Sequence, residues 1–500
     1  MRSPLSREPG RVNSVRTTPV EHIHLTFGSD PARSMAVSWT TPAMVDHPRV
    51  RFGVLPGSPD REVPAVTRVY TDTATGIGVI SHHALLTGLE PDSRYRYGVL
   101  HDRIAHVEGG TLRTAPGRRA RFTFTCFGDQ GTSATCDPFG TPASGHVVTG
   151  VEQIDPLFVL VAGDLSYANQ HSDPPRAWSA WFNMIDVSAR RRPWMPAAGN
   201  HEVERGNGTH GLAAYQSRFL LPDNSEPTDD LAADGEADGE IAGGGDPHGG
   251  GPDVTGLWYA FTVSGVRFVI LQNDDVCYQD GSMLYIRGYS GGRQRAWLHW
   301  TLRRARADPD IDWIIVCMHQ TAVSSAERHN GADLGIRQEW LPLFDAFAVD
   351  LVLCGHEHHY ERTYPLRGVI PGSDVLTPRP VAPESDIIDT SRGTVHMVLG
   401  TGGSSSPSAG TFSDPPVGRV IVGGKPRESE PTRLRSIHVL EPAPWLALRA
   451  PEHPYAFAGF EVDPGEPGGT TRIRVTVYDS SGPLPVPFDT FTLVRNRNGA

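Results

Sequence analysis

The chain has 500 residues, 38% of them hydrophobic, with 54 glycines and 43 prolines. This length predicts roughly two to four domains with many loops and turns. The formal charge of −12 argues against broad binding to nucleic acids or membrane surfaces, because both require a basic face. The longest apolar runs, such as residues 313–318, are strand-sized and far below the ~18 residues of a membrane helix. An anionic substrate would therefore need a local positive charge, which bound cations can supply.

The cysteines exclude two classes of small scaffold. None of the five shows CxxC spacing, so neither a zinc ribbon nor a disulfide framework is predicted. Cys126 and Cys136 are close enough in sequence to pair across a loop, although buried free thiols are the simpler expectation. Residues 1–18 are predicted to be a flexible polar leader, and they show no apolar core of a signal peptide. Because a different start site would give the same pattern, the compartment stays open.

Residues 19–116 are predicted to form a β-sandwich. Short runs with alternating polarity follow one another between turn signals such as residues 28–31 and 90–92: EHIHLTF, SMAVSWT, RVRFGVL, SHHALLTGL and SRYRYGVL. This region has no helical stretch. The arrangement of Leu86, Leu89, Pro91, Tyr95 and Tyr97 resembles the corner before a late strand in a fibronectin type III module.

From residue 117 onwards, buried strands alternate with helical segments, which predicts a layered α/β domain that extends to residue 500. The strands are the runs RFTFTCF, LFVLVAG, VRFVILQ, DWIIVCM, DLVLCG and TVHMVLG. Helices are predicted over residues 292–306 and 337–348. Residues 223–253 are rich in Asp, Glu, Gly and Ala and are predicted to be a disordered insertion. Strands return in a closing segment from about residue 455, and the chain is expected in the α+β or α/β class.

Polar residues collect at the ends of the predicted strands of this second domain. A single Gly-Asp pair or a single histidine at such a place is usually a turn, a cap or a structural residue. Here, however, the whole set falls on loops at the carboxyl ends of strands, where α/β sheets build their sites. The segments are Asp129 in GDQG, Asp164 and Tyr167 in GDLSY, Asn200 and His201 in GNHE, His319 after IIVCM, and His356 and His358 in GHEH.

The donor types of this set indicate metal ions. Two carboxylates, an amide oxygen, three imidazoles and a phenol suit iron, manganese or zinc better than calcium. Seven donors exceed the four of a tetrahedral site, so two ions that share a bridging carboxylate are predicted. Tyr167 lies three residues after Asp164, so one helical turn would present both side chains together.

The five segments, in this order, resemble the motifs GDxG, GDxxY, GNHE, VxxH and GHxH of the purple acid phosphatases, which are calcineurin-like metallophosphoesterases. The likeness extends over residues 20–498 and includes the N-terminal sandwich. It implies that a first metal, ferric iron, is bound by Asp129, Asp164, Tyr167 and His358. It implies that a second metal, iron, zinc or manganese, is bound by Asp164, Asn200, His319 and His356, with Asp164 as the bridge.

The resemblance also implies a function, the hydrolysis of small phosphate monoesters in the manner of an acid phosphatase. His201 would contact the phosphoryl group or assist the leaving group. His329 is a second catalytic candidate, although Arg328 stands where plant-type members carry a histidine. A phosphodiesterase or nucleotide pyrophosphatase with another metal pair stays an alternative, as does a binding protein with an inactive site. No nucleic-acid or membrane partner is expected. The oligomeric state stays open, and similar family members are commonly exported.

Overall fold

Two four-stranded antiparallel sheets form the N-terminal region of the computed structural model, which describes residues 17–223, 253–408 and 410–498. One sheet has the order β1-β2-β6-β5 and the other the order β4-β3-β7-β8, the strands being β1 (Glu21–Phe27), β2 (Met35–Thr41), β3 (Arg49–Val54), β4 (Arg61–Pro64), β5 (Val66–Thr71), β6 (Gly78–Leu86), β7 (Arg94–Leu100) and β8 (Glu108–Arg113). The predicted leader, up to residue 16, and the predicted insertion, from 224 to 252, lie outside the described residues.

The alternation of buried and exposed side chains explains the predicted sandwich, which the fold confirms. In β7, Tyr95, Tyr97 and Val99 are buried, whereas Arg94 and Arg96 are exposed. The hydroxyl oxygen of Tyr95 accepts a hydrogen bond from the backbone N–H of residue 90 at 2.7 Å, which is the tyrosine corner of such sandwiches. The sequence gives no signal for β4, β5 and β8, because these strands lie at sheet edges and bury few of their side chains.

Two seven-stranded sheets dominate the second region. Its strands are β9 (Phe122–Phe127), β10 (Phe158–Val161), β11 (Trp194–Pro196), β12 (Tyr259–Val263), β13 (Val266–Ile270), β14 (Trp313–Cys317), β15 (Ala332–Asp333), β16 (Leu351–Cys354), β17 (Tyr360–Thr363), β18 (Leu366–Val369), β19 (Pro378–Pro380), β20 (Ile387–Asp389), β21 (Val395–Leu399), β22 (Val417–Pro426), β23 (Leu434–Pro442), β24 (Leu446–Arg449), β25 (Ala456–Asp463), β26 (Thr470–Asp479) and β27 (Val486–Asn496). The large sheets have the orders β11-β10-β9-β25-β26-β27-β20 and β12-β13-β14-β16-β21-β17-β24. Smaller sheets are β15-β22-β23 and β18-β19.

Aromatic side chains join the two large sheets face to face. The ring of Phe268 lies 5.1 Å from that of Phe124 and 5.2 Å from that of Phe158, centroid to centroid, in edge-on contacts. Helices pack on the sheets, α1 on β25 and α4 on β14. This is the predicted layered α/β arrangement. The helices are α1 (Pro142–Ile154), α2 (Pro174–Ala189), α3 (Ala213–Arg218), α4 (Arg293–Ala307), α5 (Leu334–Glu339) and α6 (Leu341–Ala346).

Helix α4 confirms the helix predicted over residues 292–306, but the single helix predicted over 337–348 is wrong. The chain forms two short helices there, α5 and α6, with Trp340 between them. Pro342 lies in the first turn of α6 and has no N–H to donate to the preceding turn, so a continuous helix cannot pass through it. No helix among the described residues is long and apolar enough to cross a membrane.

Histidines line the contact between the sandwich and helices α2 and α3. The ring of His22 lies 2.9 Å from the hydroxyl of Ser179 in α2. His83 donates from Nε2 to the carbonyl of Ser217 in α3 at 3.0 Å, and its Nδ1 lies 2.8 Å from the hydroxyl of Ser38. Burial is the main cause that lowers the pKa of His83 to about 3, and the charge of Arg68 lowers it further. The contact is therefore built around a neutral imidazole.

His83 should make the fold less stable in acid. Between pH 6.5 and pH 3 the unfolded chain binds a proton at this imidazole that the folded chain does not, so the free energy of unfolding falls as the pH falls. At pH 5 the loss amounts to about 2 kcal/mol. The difference in unfolding free energy between the wild type and His83→Asn, measured by chemical denaturation, should therefore shrink by about that amount from pH 7 to pH 5.

The matched control is His47→Asn. This imidazole is exposed and bonds to Asp102, which raises its pKa, so its difference from the wild type should not shrink in acid. An unchanged difference for His83→Asn would show that the buried ring is protonated in the folded protein.

Candidate metal centre

Loops at the carboxyl ends of five strands bring the predicted ligands together. The parallel strands β9, β10 and β11 of the first large sheet end shortly before Asp129, Asp164 and Asn200. The parallel strands β14 and β16 of the second sheet end just before His319 and His356. Because the two sheets pack face to face, these loops meet at one edge. All seven predicted ligands are buried: Asp129, Asp164, Tyr167, Asn200, His319, His356 and His358.

Four of these residues have an unusual backbone conformation. Asp129, Asp164, Tyr167 and His356 have φ angles of 58°, 54°, 54° and 71°, in the left-handed region that residues other than glycine seldom adopt. The helical turn predicted for Asp164 and Tyr167 is therefore wrong, because both lie in an irregular loop. Such strain clusters at sites whose surroundings fix the backbone.

Crowding explains the glycines that precede the ligands. A Cβ atom at Gly163 would lie 2.6 Å from Nδ1 of His319. A Cβ atom at Gly355 would lie 2.4 Å from Oδ2 of Asp129. Both distances are far below van der Waals contact, so any larger residue would displace a ligand. The Gly-Asp and Gly-His pairs of the sequence are thus a consequence of how closely the two sheets approach.

Asp129, Tyr167 and His358 form one cluster of donor atoms. The phenol oxygen of Tyr167 lies 3.2 Å from Oδ1 of Asp129 and 3.2 Å from Nε2 of His358. The same Nε2 lies 3.0 Å from Oδ1 of Asp129. A phenol, a carboxylate and an imidazole thus converge on one point from three different loops.

Asn200, His319 and His356 form a second cluster. Nε2 of His319 lies 2.9 Å from Oδ1 of Asn200 and 3.2 Å from Nδ1 of His356. It also lies 3.2 Å from Oδ2 of Asp164. Ligand atoms of Asp129, Asp164 and His319 lie within 4.8 Å of one another, so Asp164 stands between the two clusters. The structure therefore brings both predicted ligand sets together around the predicted bridge.

Each ligand histidine is fixed in one tautomer by a hydrogen bond from the ring nitrogen that faces away from the clusters. Nδ1 of His319 donates to the carbonyl of Ala162 at 2.7 Å, and Nδ1 of His358 donates to the carbonyl of Ser406 at 2.7 Å. Nε2 of His356 lies 2.8 Å from Oε1 of Gln279. In each ring the other nitrogen faces the clusters, where it can offer its lone pair to a metal once it is deprotonated, the arrangement that outer hydrogen bonds usually give to ligand histidines.

The charges of the site favour a cation. Burial raises the pKa of the Tyr167 phenol well above its usual range, and Asp129 and Asp164 raise it further. Burial lowers the pKa of His319, yet Asp164 and Asp129 raise it overall, to about 10. Both groups thus retain a proton beside two carboxylates. A bound cation reverses this balance, because its charge favours the deprotonated ligand.

His201 lies beside the clusters without joining either. Its Nε2 is 3.9 Å from Oδ2 of Asp164, and its ring packs 4.5 Å from the ring of Tyr167, centroid to centroid. Nδ1 lies 2.9 Å from Oδ1 of Asn169. The amide nitrogen of Asn169 donates to the carbonyl of Val203, which fixes the amide and makes Nδ1 of His201 a donor. His201 is therefore oriented by a neighbour, as predicted.

His329 lies on the opposite side of the site. Its ring packs 5.0 Å from the ring of His358, and its Nδ1 lies 3.3 Å from Oε2 of the buried Glu357. Among the described residues, His329 makes no hydrogen bond to His201, the other predicted catalytic residue. The structure thus places His329 at the margin of the site, and its catalytic role stays a prediction.

Several supporting residues escaped the sequence analysis. Glu202 accepts hydrogen bonds from the backbone N–H groups of Asp164, Leu165 and Gly199, and so joins two ligand loops. Oδ1 of Asn273 accepts from the N–H of His319 at 2.7 Å. Glu202 was visible as the last letter of GNHE, but Asn273 and Gln279 lie in segments that match no motif.

Family models agree with this geometry. Residues 122–360 match the model of the calcineurin-like phosphoesterases, and residues 20–125 match the model of the purple acid phosphatase N-terminal domain. The fold and its site are those of a metallophosphoesterase.

The chain belongs to the purple acid phosphatase family. It is 48% identical over 492 residues to the uncharacterized protein Rv2577 of Mycobacterium tuberculosis, covering 96% of this chain and 88% of that one. It is 23% identical over 386 residues to Fe(3+)-Zn(2+) purple acid phosphatase 12 of Arabidopsis thaliana, covering 77% and 72%. Purple acid phosphatase PPD1 from yellow lupin seeds has the same fold, with a TM-score of 0.65, 18% identity and coverage of 95% and 74%.

Gln279→Leu should weaken binding of the second metal. The leucine cannot accept the hydrogen bond of His356, so the ring loses the partner that fixes its orientation and tautomer. We expect the affinity of the second metal site to fall about 10- to 100-fold in competition with a chelator. The matched control is Gln153→Leu on the exposed face of α1, which should leave both affinities unchanged. Equal affinities in wild type and Gln279→Leu would remove Gln279 from the metal centre.

Proposed function

We propose that this protein hydrolyses phosphate monoesters at a dinuclear metal centre, in the manner of an acid phosphatase. The observation that carries the proposal is the pair of donor clusters that share Asp164. The family membership supports a phosphoesterase, and relatives named as acid phosphatases support the monoester as substrate. The substrate is a small phosphate ester.

The two clusters suit different metals. Asp129, Tyr167 and His358, with Asp164, offer a phenol and carboxylates, which are hard ligands for ferric iron. Asn200, His319 and His356, with Asp164, offer imidazoles and an amide oxygen for zinc, iron or manganese. The name of the Arabidopsis relative, which contains Fe(3+) and Zn(2+), supports this assignment. When bound by these residues, two such ions would supply Lewis-acid stabilisation of the phosphoryl oxygens and would lower the pKa of a bound water molecule.

Two histidines outside the ligand set, His201 and His329, act on the substrate directly. His201 presents Nε2 towards the space beside Asp164, within reach of a phosphoryl oxygen. Asn169 keeps the ring of His201 in that orientation. His329, on the other side, is assigned to the leaving group, which it would protonate as the ester bond breaks.

The proposal is tested by metal analysis and substrate comparison. The wild type, reconstituted with iron and zinc, should contain two metals per chain and hydrolyse phosphomonoesters faster than phosphodiesters. Asp164→Ala should lose metal from both positions and almost all activity while its far-UV circular dichroism is retained, because the bridging carboxylate serves both ions. A faster diester reaction would favour the phosphodiesterase alternative. A metal-loaded but inactive wild type would favour a binding protein.

Tyr167 should give the protein its colour. A phenolate bound to ferric iron gives a visible charge-transfer band, whereas zinc, with a filled d shell, does not. Tyr167→Phe should therefore lose the band and still retain iron through Asp129, Asp164 and His358. A control substitution of a buried tyrosine outside the site, Tyr215→Phe, should keep the colour. A colourless, active wild type that holds two metals and does not respond to oxidant would contradict the ferric assignment.

The role of His329 is tested by leaving-group dependence. If His329 donates a proton, His329→Ala should slow alkyl phosphates at least tenfold more than activated aryl phosphates, because a good leaving group departs without help. The slope of log kcat/KM against leaving-group pKa should become steeper. Equal slowing of both substrate types would mark His329 as a binding or structural residue.

A further inference from the structure

A polar pocket of about 330 Å³ opens beside the metal centre. One side is formed by Gln279, Asp280, His329 and Asn330. The other side is formed by the hairpin of β22 and β23, with its connecting segment, through the residues Arg419, Ile421, Arg427, Leu434, Arg435, Ser436 and His438. The hairpin carries none of the residues predicted from the sequence, and we call this cavity the hairpin pocket.

Three contacts join the hairpin pocket to the ligand histidines. Oε1 of Gln279 lies 2.8 Å from Nε2 of His356, and the side-chain amide of Asn330 donates to the carbonyl of His356 at 2.7 Å. The ring of His329 packs on the ring of His358. The hairpin pocket therefore borders two ligand histidines, His356 through Gln279 and Asn330, and His358 through His329.

The pocket is strongly cationic. Arg419, Arg427 and Arg435 line it, and none of them has a carboxylate within 4.0 Å among the described residues. Its one acidic residue, Asp280, is already paired with Nε of Arg433 at 2.5 Å. The chain as a whole carries a charge of −12, so this accumulation of unpaired arginines runs against the general composition.

Neutral partners hold two of these arginines in place. Nη2 of Arg419 lies 2.6 Å from Nε2 of His438. Burial, Arg419 and Arg435 lower the pKa of His438 to about 4, so the ring is neutral and accepts this bond. Nε of Arg427 donates to the carbonyl of Leu434 at 3.1 Å. Both guanidinium groups thus keep their charge and further N–H donors for an anion.

The hairpin is anchored to the catalytic region rather than free. Residues of β22 pair with β15, and Glu441 of β23 accepts a hydrogen bond from the buried Arg337 of α5 at 2.6 Å. Arg419 therefore stands on a fixed wall, and Arg427 follows directly after β22 in the connecting segment. Preorganised donors of this kind bind anions with less loss of conformational entropy than donors on a mobile loop.

We propose that the hairpin pocket binds the leaving group of the ester and selects leaving groups that carry a second phosphate, with Arg419 and Arg427 as the specificity-determining residues. The substrate class is a bisphosphorylated small molecule. Arginine suits this task because its planar donors match phosphate oxygens in pairs. The inference rests on the proposed function, because it takes the metal centre as the place of the reacting phosphoryl group.

Non-hydrolysable probes separate binding from catalysis. Butane-1,4-bisphosphonate and butylphosphonate are titrated into the iron- and zinc-reconstituted protein by calorimetry at roughly 0.15 M salt, where exposed charges beyond about 8 Å are screened. The wild type should bind the bisphosphonate about tenfold more tightly than the monophosphonate, where a statistical factor alone gives about twofold. The measured quantity is the ratio of the two affinities. A tenfold ratio is expected because one hydrogen bond to a charged group contributes about this factor in affinity.

Substitutions assign the preference to residues. Arg419→Ala and Arg427→Ala should each bring the ratio close to the statistical factor. The matched control is Lys425→Ala, which removes a cation of β22 that does not line the pocket and should keep the wild-type ratio. A wild-type ratio near the statistical value, a ratio kept in both arginine variants, or no binding of either probe would overturn the proposal.

Kinetics with the corresponding esters distinguish this inference from the proposed function. 1,4-Butanediol bisphosphate should show a higher kcat/KM than butyl phosphate, mainly through a lower KM. If the probes show the preference but neither ester is hydrolysed, the hairpin pocket stands and the proposed function fails. If both esters are hydrolysed without any preference for the bisphosphate, the proposed function stands and the role of the hairpin pocket is refuted.

Discussion

Two buried carboxylates impose the main constraint on this structure. The side chains of Asp129 and Asp164 are almost fully excluded from solvent, and a buried charge without partners costs several kcal/mol. Each carboxylate meets the constraint in the same way. Oδ2 of Asp129 accepts the backbone N–H of His356 at 2.7 Å, and Oδ1 of Asp164 accepts the backbone N–H of His201 at 2.8 Å. One oxygen of each thus holds another loop, and the other oxygen faces the donor clusters.

The strained backbone lies at the same bonds. Asp129 and Asp164, which accept them, and His356, which donates one, all adopt left-handed conformations. Glu202 and Asn273 add further side-chain-to-backbone bonds between these loops. Each such conformation costs on the order of 1–3 kcal/mol, and cations held by the inward oxygens would offset part of that cost. Metal binding and the order of these loops are therefore coupled.

The sequence predicted the fold class, the sandwich and the set of clustered side chains, because each of these has a local signal. Alternating apolar and polar side chains predicted β7. Gly-Asp and Gly-His pairs indicated the strand ends that lie close to one another. It could not predict features that depend on distant contacts. The edge strands bury too little to alternate, and Pro342 divides a segment whose apolar pattern is continuous. Gln279 and Asn273 are ordinary residues until the second sheet brings them against His356 and His319.

The hairpin pocket shows how the chain separates chemistry from selection. The donor clusters depend on loops of the two large sheets, whereas Arg419 and Arg435 lie on a small third sheet and Arg427 lies in its connecting segment. The Arg337–Glu441 pair fixes this third sheet to α5. The two parts meet at Gln279 and Asn330, which contact the side chain and the backbone of His356. A substitution at Arg419 or Arg427 would alter the charge of the hairpin pocket without removing a contact to a metal ligand, because their bonds go to His438 and Leu434. A change at the meeting point alters both, because the residue that borders the pocket also orients a ligand.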